Sequence, residues 1–425
     1  MQKELLRLSA ANEGDLCSGF RLVKKEYVPS KHADLYTMRH EKTKAELLYF
    51  ARADENKTFA IAFKTLPEDD TGVFHILEHS VLNGSRRFPV REPFVNLLQS
   101  SMQTFLNAMT YPDKTVYPVC SRNDKDFHNL MEVYLDAVFC PAIYEKPQIF
   151  MQEGWHYEFD SEDAEPYYNG VVYSEMKGAF SDVSELMETE SMRLLFPDSS
   201  YGFVSGGHPE SIPKLTYEQF IANHKRYYHP SNARIFLDGK MDIDEILRYI
   251  DGEYLSKYDY RAPDFDFTVQ KQVVGEKTVS YSVKPGEDAK AHMVFSKLLC
   301  AHDEPEKVLA AKVLAKYLTG SNEAPLKRTF LEQALCQDIS LQVNDGIFQP
   351  YITLTIRNTE QEKFAQVEDC LRSSVQDILS GGLDREALLA ELERMAFTSR
   401  EIEEPYGLIL GLTALDGWLY GDDPL

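Results

Sequence analysis

A chain of 425 residues is too long for one ordinary core and is expected to fold as two domains; its 43% hydrophobic and 12% aromatic content excludes a disordered polymer. A formal charge of −23, from 68 acidic against 45 basic residues, argues against nucleic acid, whose phosphates need clustered Lys and Arg. The same balance suits a cationic ligand or serves solubility alone.

From Phe20 to Lys64 the segments FRLVKKEYV, DLYTMRH, AELLYFA and TFAIAFK read as a meander of strands, separated by polar turns such as Asp54-Glu55-Asn56. Helical periodicity takes over from Val73 to Asn83, returns from Asp124 to Val138, and appears again from Val171 to about Leu195, with a short strand at Thr115–Cys120. A helix ending near Pro230, a strand and a helix from Asp242 follow. Residues 253–267 are polar and aromatic without period and read as a linker between a domain at 1–252 and another at 268–425. The second domain reads as strands near 278–298, a helix from Pro305 to Leu318, the strand pair SLQVND and FQPYITLTI, and helices near 361–379 and 384–402. Strands and helices interleaved without a regular βαβ count point to an α+β fold.

The six cysteines are scattered with no CxxC pair, which signals neither a disulfide framework nor a thiolate zinc site and suits reduced thiols in a cytoplasmic compartment. The start, MQKELLRLSAANEGD, lacks the apolar core of a secretory signal, and the apolar stretch from Tyr406 to Leu415 is too short to span a bilayer, so no membrane association is expected.

The chemistry concentrates in GVFHILEHSVLNG, residues 72–84. On a helix His75 and His79 stand at i and i+4, so both imidazoles reach one ion, while Glu78 lies beside that ion, free to take a proton from a water. His-x-x-Glu-His is the inverted zincin pattern, and the composition of this chain gives at most about 0.05 accidental matches. The plain alternative is an amphipathic helix with satisfied histidines. A hydrolytic zinc site wants three protein ligands and one open position. Spacing leaves the third open among Glu92, Asp113, His128, Glu132, Glu153, His156, Glu158 and Glu175; Glu175 is slightly favoured because an apolar helical stretch, VVYSEMKG, needs a partner for a lone carboxylate.

Beyond that motif, GVFHILEHSVLNGSRRFPVREPF, TFLNAMTYPDKTVYPV, GVVYSEMKGAFSD, SGGHPESIPKLTYEQF and YYHPSNARIFLDG resemble, in order and spacing, the presequence protease branch of the pitrilysin/insulysin family of inverted zincins. Weaker likeness continues through LAKYLTGSNEAPLKRTFLEQAL and LERMAFTSREIEE. The resemblance implies two successive sandwich-like domains of the mitochondrial-processing-peptidase-like metallohydrolase fold, with mostly antiparallel sheets and helices on one face. It implies one zinc ion held by His75, His79 and Glu175, with Glu78 as general base. It further implies that Thr104 to Ala108 is the edge strand against which a peptide lies, Asn107 and Ala108 being the residues carried over, and that Leu82, Phe94 and Val95 line an apolar pocket; ordinary packing explains Leu82 and Phe94 about as well.

The implied substrates are unstructured peptides, basic ones if the acidic balance matters, and the implied partner is a second, C-terminal half supplying an Arg and a Tyr. A homodimer that rebuilds the chamber is a second arrangement, and a non-catalytic scaffold or peptide-binding subunit is the alternative function. His208 in SGGHP stands where the family pattern leads one to expect an acidic residue.

Overall fold

The structure, a computed structural model, describes residues 6–90, 93–283, 286 and 288–424. The chain divides into two compact units, and the division is not a single cut: the first comprises residues through Asp182, Phe203–Phe267 and Glu403–Leu415, the second Val183–Gly202, Thr268–Ile402 and the residues from Asp416 on.

In the first unit the strands β1 (Leu16–Cys17), β2 (Phe20–Val28), β3 (Ala33–His40), β4 (Glu46–Ala51), β5 (Lys57–Lys64), β6 (Gln103–Leu106), β7 (Met109–Thr110) and β8 (Lys114–Ser121) enter one sheet; β9 (His156–Glu158) and β10 (Tyr167–Asn169) form a separate hairpin, and β11 (Ala233–Asp238) returns to the large sheet. The nine-stranded order is β1-β2-β3-β4-β11-β5-β8-β6, with β7 also on β8. Every pairing is antiparallel except β11 with β4. Burial follows position: β2 alternates buried and exposed, as expected for a strand with one wet face, whereas all eight residues of β8 are buried.

The helices of this unit are α1 (Val73–Val81), α2 (Pro93–Ser100), α3 (Asp124–Phe139), α4 (Gln148–Glu153) and α5 (Val171–Ala179), followed after α6 (Val183–Leu195) of the second unit by α7 (Tyr217–Tyr227) and α8 (Ile243–Glu253). Helix α3 starts at Asn123, whose side chain accepts from Asp126 N–H, and α7 at a Thr216/Gln219 capping box. Helix α1 is buried nearly all round, with Val73, Phe74, Ile76, Leu77 and Val81 in the same core as Phe59, Ile61 and Tyr117 of β5 and β8. A helix so enclosed would ordinarily carry only apolar side chains, which makes His75 and Glu78 conspicuous.

The second unit holds one antiparallel sheet of β12 (Ala291–Leu298), β13 (Asp338–Asn344) and β14 (Tyr351–Thr359), ordered β12-β14-β13, with α9 (Pro305–Thr319), α10 (Pro325–Glu332), α11 (Phe364–Gly381) and α12 (Arg385–Thr398). Its core gathers Leu318, Phe330, Ile339, Leu354, Ile356 and Val367. A last helix, α13 (Tyr406–Trp418), begins in the first unit. Among the described residues no helix is long and apolar enough to cross a membrane.

Three expectations are corrected. The single helix over Val171–Leu195 is two, because Ser181 and Asp182 fold back on Gly178 and Ala179 in a local turn, as Ser and Asp readily do. Residues 253–267 are no free linker: Tyr258 Oη donates to Phe139 O and Phe265 stacks on Tyr227, so the segment straps onto the first unit. The strand expected before Ala291 is absent among the described residues of 278–290 (Lys284, Pro285 and Glu287 lie outside them), and Val279 is exposed; β-favouring residues without a neighbouring strand make no ladder. Among the described residues the second unit has one sheet of three strands where the large sheet of the first has nine, so it is not a close copy of the first.

Candidate metal centre

The site is built on α1, and α1 begins at a contact that admits no side chain. Gly72 has φ +66°, and a Cβ there would lie 2.6 Å from Gly206 O and from Gly207 Cα. This closeness lets Gly206 O accept a hydrogen bond from His75 Nδ1 at 2.9 Å. One turn on, His79 Nδ1 faces Glu153 Oε2 at 3.3 Å. A carbonyl and a carboxylate only accept, so each neutral ring carries its proton on Nδ1 and keeps the Nε2 lone pair free.

Both Nε2 atoms point to Oε2 of Glu175 on α5, at 3.6 Å from His75 and 3.8 Å from His79. The two rings are nearly perpendicular, 82° apart with centroids at 5.0 Å, and one donor atom from each of the three residues fits within 4.8 Å. Donors bound tetrahedrally at about 2.0–2.2 Å from one ion lie roughly 3.3–3.6 Å apart, so the two distances to Glu175 are within a few tenths of an ångström of those a zinc-sized ion needs, and the set as a whole would draw in from 4.8 Å around it. Two imidazoles and a carboxylate also leave one position open.

Glu78 is 9% exposed and turned to the same place; its Oε2 accepts from Thr110 Oγ1 of β7 at 2.9 Å. Burial pushes its carboxyl above the usual range, against the pull of His79, His75 and the Thr110 hydrogen bond, while Glu175 pushes the same way as burial. For His79 burial opposes the charged ring, yet the hydrogen bond to Glu153 and the carboxylates of Glu78, Glu153 and Glu175 carry it above the ordinary value.

Of the seven third-ligand candidates among the described residues, only Glu175 joins the two imidazoles as a possible ligand. Glu153, weighed as a ligand, instead stands behind His79. Glu132 pairs with Arg87, His128 packs on Tyr249, His156 Nδ1 hydrogen-bonds Met151 O, and Glu158 bonds Asn169. Asp113 is buried beside Lys114, and Glu92 lies outside the described residues. The carbonyl of Gly206 and the hydroxyl of Thr110 escaped sequence reasoning, since neither a backbone atom nor an ordinary strand threonine carries a signal.

The edge strand expected at Thr104–Ala108 is β6, which ends the sheet order and pairs only with β8 among the described strands. Asn107 follows it, exposed, with its carbonyl accepting from Tyr134 Oη at 3.0 Å, and Ala108 packs half-buried on the core. Leu82 is 8% exposed inside the core, Phe94 half-buried against it, and Val95 exposed on α2. His208, the departure from the family pattern, anchors the Gly206 loop: its N–H donates to Asp70 O and its ring meets Phe180 edge-on at 4.7 Å.

Known proteins match this chain over most of its length. Residues 66–177 match the family described as "Insulinase (Peptidase family M16)" and residues 214–395 its "Peptidase M16 inactive domain". The chain is 43% identical to Protein HypA of Clostridium perfringens over 97% of its own length and 43% of that protein, and 37% identical to Presequence protease 1, chloroplastic/mitochondrial, of Arabidopsis thaliana over 96% and 38%. It thus spans less than half the length of these relatives. Its fold is similar to a peptidase M16 inactive domain from Pseudomonas fluorescens, with a TM-score of 0.67 at 15% identity, covering 92% of this chain and 88% of that one. These matches, one spanning the buried His-x-x-Glu-His helix and the glutamate on α5 and one beyond them, place the chain in peptidase family M16, in its presequence protease branch.

Proposed function

We propose that this chain is the zinc-binding half of a metalloendopeptidase that hydrolyses unstructured peptides, with His75, His79 and Glu175 as ligands and Glu78 as general base. The observation that carries the reading is the convergence of two Nε2 lone pairs and one carboxylate oxygen within 4.8 Å, with a buried carboxylate beside them. Zinc, when bound, would supply a Lewis acid that polarises the scissile carbonyl and acidifies a water.

The remaining steps belong to the chain. With Oε2 held by Thr110, Glu78 keeps Oε1 for the attacking water, takes its proton, and later passes that proton to the departing amine. Its raised pKa makes it a stronger base than an exposed glutamate. In the same sheet β6, paired only with β8 among the described strands, would offer its outer edge to an extended peptide, and pairing of that kind accepts many sequences while refusing folded proteins. Asn107, Ala108, Phe94 and Val95 are proposed to flank that peptide, and the charge of −23 favours basic ones. A second half, present in the longer relatives, would close the chamber.

The test is metal analysis of the purified chain with His75→Ala and Glu78→Gln, followed by hydrolysis of a quenched unstructured peptide. About one zinc per chain, lost in His75→Ala and kept in Glu78→Gln, is the expected result. No metal in the unmutated chain after zinc is offered would overturn the reading in favour of a scaffold. Equal cleavage of matched acidic and basic peptides would remove the charge preference alone.

A further inference from the structure

Glu153 is 5% exposed, at the C-terminal end of α4, and no salt bridge to Lys or Arg is seen for it among the described residues. Its two oxygens are divided. Oε2 faces His79 Nδ1, and Oε1 accepts two amide hydrogens, from Asn83 Nδ2 at 2.8 Å and Gln152 Nε2 at 3.0 Å. Asn83 Nδ2 also reaches His79 O at 3.3 Å, so the same amide ties the end of α1 to the carboxylate that faces it. The backbone holds the whole group: a Cβ on Gly154 would lie 2.8 Å from Phe150 O and 3.1 Å from Ile76 Cγ2 of α1, and Gly170, which opens α5, would meet Gly154 O. Thus Glu153, His79 and the helix that carries Glu175 are fixed against one another by contacts too close for side chains.

From this division we infer that Glu153 is a positioning residue that sets the tautomer of His79, and that Asn83 and Gln152 are what make a glutamate, rather than its neutral isostere, obligatory there. The inference deepens the proposed zinc site, and its consequence for metal affinity rests on that reading.

The argument is one of donors and acceptors. A carboxylate accepts on both oxygens, so it satisfies two amides on one side and the Nδ1–H of His79 on the other. A glutamine in its place has one acceptor and one donor end. The amide hydrogens of Asn83 and Gln152 would claim the carbonyl oxygen and turn the NH2 group toward His79. Two donors cannot face each other, so His79 would accept at Nδ1 and move its proton to Nε2, the nitrogen that points at Glu175. The lone pair a metal needs would be gone although no ligand had changed. Neither size nor packing is altered, so a purely structural role for Glu153 predicts nothing of the kind.

The experiment reads the imidazole nitrogens directly, by two-bond 1H–15N correlation spectra of the metal-free chain near pH 8, with His75 as internal standard because Gly206 O holds its tautomer independently. Unmutated protein is expected to show the proton on Nδ1 for both rings. Glu153→Gln is expected to move the His79 proton to Nε2 and leave His75 unchanged, and to weaken zinc about 10- to 100-fold in chelator competition. Adding Asn83→Ala and Gln152→Ala to Glu153→Gln frees the new amide to rotate its carbonyl toward His79, so the Nδ1 proton and much of the zinc affinity should return. A His79 tautomer unchanged in Glu153→Gln, or not restored in the triple variant while His75 keeps its signal, would overturn the inference. If the tautomer moves as stated but even the unmutated chain takes up no zinc, the metal reading fails and the positioning role of Glu153 stands.

Discussion

Histidines lie inside the first unit at several places, and the sites of His224 and of His75 with His79 use them in opposite ways. His224 of α7 is 3% exposed: Tyr144 Oη reaches its Nδ1 at 2.7 Å, and its Nε2 donates to Val138 O at 3.1 Å. Every polar atom of the ring is satisfied inside the protein, and burial pushes its pKa down to about 3, so it stays neutral. His75 and His79 are satisfied on one side only, by Gly206 O and Glu153, and turn their second nitrogens toward one another's neighbour, Glu175. A ring whose two nitrogens are both spoken for is part of the core, while a pair with two nitrogens left converging is a binding site. The comparison separates the two uses by hydrogen-bond arithmetic, without appeal to motif.

The comparison can be broken in three places. The largest effect is expected for Glu78→Gln, which should lower peptide cleavage by the proposed two-half enzyme about 10²- to 10⁴-fold in initial-rate assays while thermal stability holds or rises, since a buried carboxylate becomes a neutral amide. A stability loss with unchanged turnover would make Glu78 structural. Next, His224→Gln keeps a donor and an acceptor but cannot titrate. With the folded pKa near 3 and the unfolded one near 6.5, the unfolded chain binds the extra proton between those values; the stability His224 permits is therefore complete above about pH 6.5 and lost as pH falls toward 3. Urea unfolding from pH 7 to 4.5 should show a slope shallower by about 1.4 kcal/mol per pH unit in the variant, with zinc binding unmoved. An identical slope would mean that His224 is not the buried neutral ring described.

The smallest change in free energy is expected for Gly72→Ala. Its left-handed backbone and the 2.6 Å approach to Gly206 O should cost about 1–2 kcal/mol in denaturant midpoints. The displaced loop should also loosen His75, so zinc release should quicken in the variant even where the remaining stability is ample. Unaltered release would show that Gly206 O is dispensable to His75.

How far the sequence reached follows the same arithmetic. His75, Glu78 and His79 were legible because helical spacing alone puts them on one turn, and β2 was legible to the residue because its alternation is a local property. Glu175 was only one of eight candidates by spacing and needed the family resemblance, since its arrival from α5 is a matter of tertiary packing. Glu153 was legible as one of the candidate ligands but not as the support of His79, for ligand and support have the same chemistry and differ only in place. The turn at Ser181–Asp182 stayed hidden because apolar periodicity runs across it, and the strand expected before Ala291 failed because pairing, unlike propensity, is not written locally.

The edge strand β6 has one further consequence. An edge left open for extended chains is open to other copies of the protein and to misfolded neighbours as well, the usual start of aggregation. Here the exposure is kept short: β6 has four residues, about 13 Å of ladder, and its register with β8 slips between Gln103 and Phe105. A visiting strand can make only a few main-chain bonds before the edge bends away, so any β-stack started there would be held weakly and could dissociate before it grew.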